Sequence, residues 1–388
     1  MPRYQCVGDV PRKRHTLHRY DGAVVFEELM GTDGFTGASA LLYHRRSPSA
    51  IVSVESVDAT PVCWHPNQPL RPHHLRTGAL SRSAGTAVTD AVQGRQMLLG
   101  NEHVQLGFAS ARTTSPLYRN ATGDELVFVH DGEAVLETSF GRLAVHAGDY
   151  VVIPAATTHR WVVDAAAELL IVAASGHVTV PARYLNGAGQ MLEGAPFSER
   201  DQRAPDPEPL LAEGENVPVL VRTRAGLSVH VHATHPFDVV GWDGCLYPWA
   251  MSIHDFEPIV GRIHQPPPVH QTFAGSNFVV CSFVPRLFDF DPNAVKVPYH
   301  HANVDTDEVL FYSRGNFMSR AGSGIGAGSI SLHPPGFVHG PQPGSRERSA
   351  DADRTEELAV MIDVFRPLGL SDAALAVSDP EYPFSWSR

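Results

Sequence analysis

Apolar and polar positions alternate most regularly from Glu125 to Pro154, where ELVFVHDGEAVLETSFGRLAVHAGDYVVIP predicts a succession of β-strands rich in Val, Leu and Phe. Asp131-Gly132, Gly141 and Ala147-Gly148 punctuate this run as hairpin turns. Upstream, residues 1–110 mix short apolar stretches (23–26 and 50–54) with turn-rich segments such as HPNQPLRPHH from His65, a β-rich pattern with irregular loops. Residues 164–174, DAAAELLIVAA, suit a strand or a short helix, and periodicity alone does not separate the two. The polar, Pro-rich interval 195–218 reads as a linker. It divides the chain into an N-terminal β-rich region, 1–194, and a C-terminal region, 219–388. The second region is β-rich to about residue 367. Its tail, LSDAALAVSDPEY, predicts one short helix with Ser371 as N-cap, followed by coil.

Composition narrows the class. A chain of 388 residues accommodates two domains, and 33 glycines with 31 prolines suit short strands joined by tight turns. No apolar run approaches the ~20 residues that cross a bilayer. The N-terminus has basic residues without an apolar stretch after them, so it does not read as a secretory signal. Cys6, Cys63, Cys245 and Cys281 are far apart and form no CxxC pair, which points to a reducing cytoplasm. A net charge of -12 argues against a nucleic-acid partner. Of 21 histidines, only a clustered few could be metal ligands.

A spaced pattern occurs twice. His301-Ala-Asn303 is followed by four residues, Glu308, six residues and Gly315; a second block places Gly328, Pro334, Gly336 and His339. In the first half, Tyr118-Arg-Asn120, Glu125 and Gly132 repeat the first block, and Gly148, Pro154 and His159 repeat the second. Glu308 and Gly315 lie 183 residues beyond Glu125 and Gly132; Gly328 and His339 lie 180 beyond Gly148 and His159. Both blocks resemble the signature motifs of the cupin superfamily. That resemblance implies an all-β chain, with two jelly-roll barrels in tandem behind a β-rich N-terminal extension.

Two imidazoles and a carboxylate make a facial triad that leaves positions open on Fe(II). The second barrel has all three as His301, Glu308 and His339. His301 and Glu308 are seven apart, so a continuous strand would aim them at opposite faces; a turn around 305–307 must intervene. Neighbouring His300 is expected to face away. The first barrel has Tyr118 in place of the first histidine and keeps only Glu125 and His159, so it is expected to be metal-free and to serve packing or a subunit contact. Alternatively, the two histidines of the second barrel could be buried structural residues.

Over most of its length the sequence also resembles homogentisate 1,2-dioxygenase. The resemblance rests on HTLHRYDG from His15, EELMGTDGFTGASALLYHRRSPSA from Glu27, the segment from Gln271 to Arg320, and HPPGFVHGPQPG from His333. It implies Fe(II) as cofactor, and homogentisate and O2 as substrates opened to maleylacetoacetate in tyrosine catabolism. By family analogy a homo-oligomer, trimer or hexamer, is expected. It implies an active-site role for His333, six residues before the last ligand, and a proton-transfer role for His264 in RIHQPPP, with His270 as the other candidate. The interval from the first ligand to the glutamate is one residue longer than in well-known members. Phe317 stands where those members place a substrate-contacting tyrosine, and a phenyl ring cannot donate a hydrogen bond. Either Tyr299, Tyr312 or Arg320 supplies the donor, or the substrate differs. Tyr299, Phe317, His333 and His339 are the expected substrate contacts. The competing readings are gentisate or another hydroquinone acid on the same chemistry, a bicupin that binds without turnover, and a Mn or Zn cupin isomerase or decarboxylase.

Overall fold

The computed structural model describes residues 3–58, 61–83 and 89–387 (backbone only at 81–83). Each half of the repeat folds as a β-barrel. The first is built on the strands Val104–Ala111, Glu125–Thr138, Gly141–His146, Asp149–Ile153, His159–Val162 and Ala167–Ala174. The second is built on Gln271–Gly275, Phe278–Phe283, Asp307–Arg314, Ser329–His333 and Leu358–Val364. Ahead of them, Gln5–Gly8, Phe26–Gly31 and Ser39–His44 join Val239–Gly244 in a four-stranded sheet.

The ambiguous segment 164–174 is a strand, paired with both Val104–Ala111 and Glu125–Thr138. Ser371 caps the short helix Asp372–Ala376, its Oγ accepting from Ala374 N at 3.1 Å. The tail beyond it is a 3-10 turn, Tyr382–Ser387, rather than coil. Asp131-Gly132 is not a hairpin turn. The strand Glu125–Thr138 runs through it with a register shift between Val129 and Asp131, a bulge that turns the strand from one sheet face to the other. Gly132 has φ +77, and a Cβ there would meet the Ala166 carbonyl oxygen at 2.0 Å. Its counterpart Gly315 has φ +93, with the Glu356 carbonyl oxygen 1.8 Å from a would-be Cβ. The glycine shared by the two motifs marks a close backbone approach, repeated in each barrel.

Strands cross between the halves. His73–Arg76, from the N-terminal region, pairs with Ser329–His333 of the second barrel. Gly369–Leu370, near the C-terminus, pairs with Gln96–Gly100 beside the first. Glu215–Thr223 and Gly226–Thr234 extend the first barrel's sheet, the former running parallel to Tyr118–Asn120. Within 195–218, Arg203 exchanges backbone hydrogen bonds with Ala250 at 2.8 and 2.9 Å, so this interval is docked.

The barrels share one core. Phe311 packs edge-on to Phe128 and obliquely on Phe108 (centroids 6.2 and 6.1 Å), and Tyr150 packs on Phe273 at 5.2 Å. Alternation then dictates the rest. Val309, Phe311, Val360, Ile362, Val280 and Leu332 face the first barrel and are essentially inaccessible. The intervening residues face the interior of the second barrel, and these build the site.

Candidate metal centre

Register explains how three distant residues meet. Glu308 lies directly opposite His333 on one side and Asp363 on the other. Directly paired residues of antiparallel strands share a face, so all three point into the second barrel. The chain bends at 304–305 between His301 and the strand that begins at Asp307, which removes the seven-residue parity problem. His301 and His339 then pair as an isolated bridge, each backbone N–H donating to the other's carbonyl at 2.8 Å.

The Nδ1 of His301 donates to the Tyr299 carbonyl at 3.0 Å, and that of His339 to the Phe337 carbonyl at 3.1 Å. Both rings are thereby fixed with Nε2 toward Glu308, at 3.4 Å from Oε2 and 3.2 Å from Oε1. In neutral imidazoles so oriented, Nε2 presents a lone pair to a carboxylate that has only lone pairs to offer. Extra protons or a bound cation make that geometry favourable. The donor set therefore fits a divalent metal, and His301, Glu308 and His339 are the histidine and acid residues whose ligand atoms all lie within 4.8 Å among the described residues. Burial alone would raise the Glu308 carboxyl, yet the imidazoles of His301, His333 and His339 gathered around it hold it well below the usual carboxylate range. His301 is half-exposed whereas His339 and Glu308 are buried, so the site opens on the His301 side.

His333 lies behind the carboxylate. Its Nδ1 donates to Glu308 Oε1 at 3.0 Å and its Nε2 accepts from the Tyr382 hydroxyl at 2.9 Å. The ring is inaccessible, stacks on His339 with centroids 4.0 Å apart, and burial pushes its pKa down to about 3. Both nitrogens are committed, so a neutral His333 orients Glu308. His264 is exposed and meets Tyr299 edge-on at 4.9 Å, one side chain away from the loop that holds His301. His270 is buried against Phe283 at 4.6 Å, with Nδ1 unpartnered; burial, with Arg286 nearby, pushes it down to about 3. Phe317 is buried against the Tyr312 ring at 5.1 Å. The Tyr312 hydroxyl is taken by Arg320 Nε (3.0 Å) and Ser331 Oγ (3.1 Å), and Arg320 Nη1 donates to the Gly340 carbonyl. Of the three substitute donors, Tyr299 is the exposed one.

His300 points elsewhere, its ring and backbone packed over Gly340. A Cβ at Gly340 would lie 2.7 Å from His300 Nδ1 and 2.9 Å from its Cα. Gly340→Ala is expected to push the His300–His301 backbone off the His339 bridge. Metal affinity, followed by chelator competition, should fall about 10–100-fold, as for lost orienting contacts, with the circular dichroism of the barrels unchanged.

The first barrel repeats the frame with other chemistry. Tyr118 pairs with His159 as His301 does with His339, and Glu125 pairs with Ile153 where Glu308 pairs with His333. His159 Nδ1 bonds the Thr157 carbonyl at 3.0 Å, the same carbonyl two residues back. The positive charge here is Arg95. Its Nη1 donates to Glu125 Oε1 at 2.9 Å, and its guanidinium lies 5.1 Å from the Tyr118 ring centroid. Tyr118 Oη and Asn120 Nδ2 donate to the same Glu125 oxygen. Burial would raise the Glu125 carboxyl; Arg95 and His159 bring it down to about 2.

The sequence reading missed Arg95, Tyr382, Asp363 and Trp386, whose Nε1 donates to the Gly340 carbonyl at 2.9 Å and whose ring lies 6.2 Å from that of His333. Arg95 and the aromatic pair of the tail give no local signal. Asp363 does: it is the one acid within the apolar strand LAVMIDV.

Two barrels, one of which brings two histidines and a glutamate together, define a bicupin. Residues 108–173 match the family model for a cupin domain. The chain is 40% identical over 387 residues, 99% of its length and 98% of the other's, to a protein of Saccharolobus solfataricus named "Putative dioxygenase". It is 24% identical to a homogentisate 1,2-dioxygenase of Emericella nidulans, over 61% of this chain and 54% of that protein. A cupin 2 conserved barrel domain protein from Leptotrichia buccalis superposes with a TM-score of 0.36 at 8% identity, covering 80% of this chain and all of that one. The chain belongs to the bicupin family of the Saccharolobus protein, to which the homogentisate 1,2-dioxygenases are related. Among the described residues no helix is long and apolar enough to cross a membrane, and all four cysteines are free.

Proposed function

We propose that this protein is an Fe(II)-dependent, extradiol-type ring-cleaving dioxygenase acting on homogentisate or a closely related hydroquinone acid. The observation that supports this best is the convergence of His301, Glu308 and His339, with both histidines fixed through Nδ1. Iron(II), when bound there, supplies open coordination positions and the redox capacity that O2 chemistry on a phenol requires. The chain's own residues do the remainder. His301, Glu308 and His339 would hold the metal, and His333, backed by Tyr382, keeps the carboxylate in register. We assign the open side to the exposed pair His264 and Tyr299, the latter two residues before His301: an imidazole suits removal of a phenol proton and a phenol hydroxyl suits donation to substrate. A ring lies against Leu310 and Met361, paired neighbours on the same inner face. Cleavage between the carbon bearing the side chain and the adjacent hydroxylated carbon, with both atoms of O2 incorporated, gives maleylacetoacetate from homogentisate.

A second reading is carried by Phe317. Its ring offers no donor and is buried against Tyr312, which suits a hydroquinone acid that does not need that hydrogen bond, such as gentisate. One experiment separates these. Protein loaded anaerobically with Fe(II) is expected to consume O2 on addition of homogentisate, with a new ultraviolet absorbance from the ring-opened product. Uptake with gentisate alone moves the substrate to the second reading. Iron bound without uptake on any hydroquinone acid leaves a binding protein and ends the dioxygenase proposal.

A further inference from the structure

The inner face of the second barrel can be read row by row from its register. One row runs His333, Glu308, Asp363, Val279; the next runs Ser331, Leu310, Met361, Cys281. Because paired residues share a face, Asp363 points to the same side as the metal carboxylate and stands beside it. Solvent reaches this face: Leu310, Val279 and Asp363 are each partly accessible, whereas Val309, Val280 and Ile362 on the opposite face are not. On this face the triad is neighboured by Leu310, Met361 and Val279, an apolar surround in which Asp363 is the acid besides Glu308.

That acid is unexplained by the fold. Asp363 makes no ion pair or hydrogen bond among the described residues, and its Oδ1 is buried without a partner. Buried polar atoms in native proteins are nearly always satisfied, so an unmet acceptor on a ligand-facing wall needs a donor. It is not part of the metal set, which comprises His301, Glu308 and His339. The first barrel shows that the strand does not need it, since the residue paired with Glu125 at the matching place is Ala173. An aspartate beside a second carboxylate is costly to keep for packing.

We propose that Asp363 is a substrate contact, its carboxylate accepting a hydrogen bond from a second ring hydroxyl, distinct from the one held at the metal. This rests on the ring-cleavage reading and sharpens it: the site selects dihydroxylated rings over monohydroxylated ones.

Anaerobic calorimetry on Fe(II)-loaded protein tests this with homogentisate and 2-hydroxyphenylacetate, which differ by one ring hydroxyl. The wild type is expected to bind homogentisate about tenfold more tightly, the worth of one ordinary hydrogen bond. Asp363→Ala, which copies the natural residue of the first barrel, should bring the ratio to about one. Asp363→Asn, which keeps an acceptor oxygen, should retain part of the preference, and iron content should be equal in all three. An unchanged ratio in Asp363→Ala overturns the contact, as does loss of iron in that variant. A wild type that binds neither phenol removes the contact together with the proposed substrate class. A wild type with the Asp363-dependent preference that consumes no O2 keeps the contact and removes ring cleavage.

Discussion

Glu308→Gln is expected to leave a folded protein that no longer holds iron. The carboxylate is the only anion of the triad, and two imidazole nitrogens are already aimed at it from 3.2 and 3.4 Å. The amide removes the charge and offers an N–H where a cation should sit. Groups that merely orient a ligand are worth about 10–100-fold in metal affinity, so loss of the ligand itself should exceed about 100-fold. Iron content after desalting, measured beside O2 uptake, checks this: both should fall to background while the thermal transition of the metal-free protein stays in place. Iron retained at near wild-type stoichiometry would place the metal elsewhere.

Glu125→Ala, at the equivalent position of the first barrel, is expected to do the reverse. Glu125 and Arg95 are both buried, and Tyr118 and Asn120 also donate to the same carboxylate oxygen. Truncation leaves a guanidinium in the barrel with no counter-charge, a change that costs about 3–5 kcal/mol when one partner of a buried pair is removed. A large drop in the midpoint of chemical denaturation should follow, with iron stoichiometry unchanged under native conditions. The double variant Arg95→Met/Glu125→Leu should recover most of the loss, because the cost lies in the unpaired charge. If Glu125→Ala proves neutral, Arg95 does not carry the compensating charge in that barrel.

These opposite outcomes show what the repeat does and does not encode. The matched spacings identify two barrels and single out His301, Glu308 and His339, because cupin strands bring fixed offsets to one mouth whatever fills the core. The same spacing is silent on charge balance. Arg95 lies 23 residues before its match-point Tyr118, on a segment with no motif, so its approach to Glu125 is visible only in three dimensions. Gly132 illustrates another limit. A glycine with positive φ serves a turn or a bulge equally well, and the pairing of Glu125–Thr138 with four neighbours decides for the bulge. That His333 lies near His339 was legible from their six-residue spacing, while its hydrogen bonds to Glu308 and Tyr382 depend on strand register and on a tail aromatic 49 residues away. Asp363 was readable as an acid in an apolar strand. Only the register with Glu308 gives that oddity a position.

The crossing of strands between the halves sets a condition on how the molecule is made. His73–Arg76 leaves the ribosome about 250 residues before its partner Ser329–His333, an interval of roughly 10–50 s at usual rates of synthesis. Gly369–Leu370, which pairs beside the first barrel, is among the last residues to appear. Until these late partners appear, Gln96–Gly100 and His73–Arg76 each present an unpaired strand edge. The half that carries His301, Glu308 and His339 is complete only once Leu358–Val364 and Tyr382 have been made, so a chain cut short ahead of them lacks part of that site.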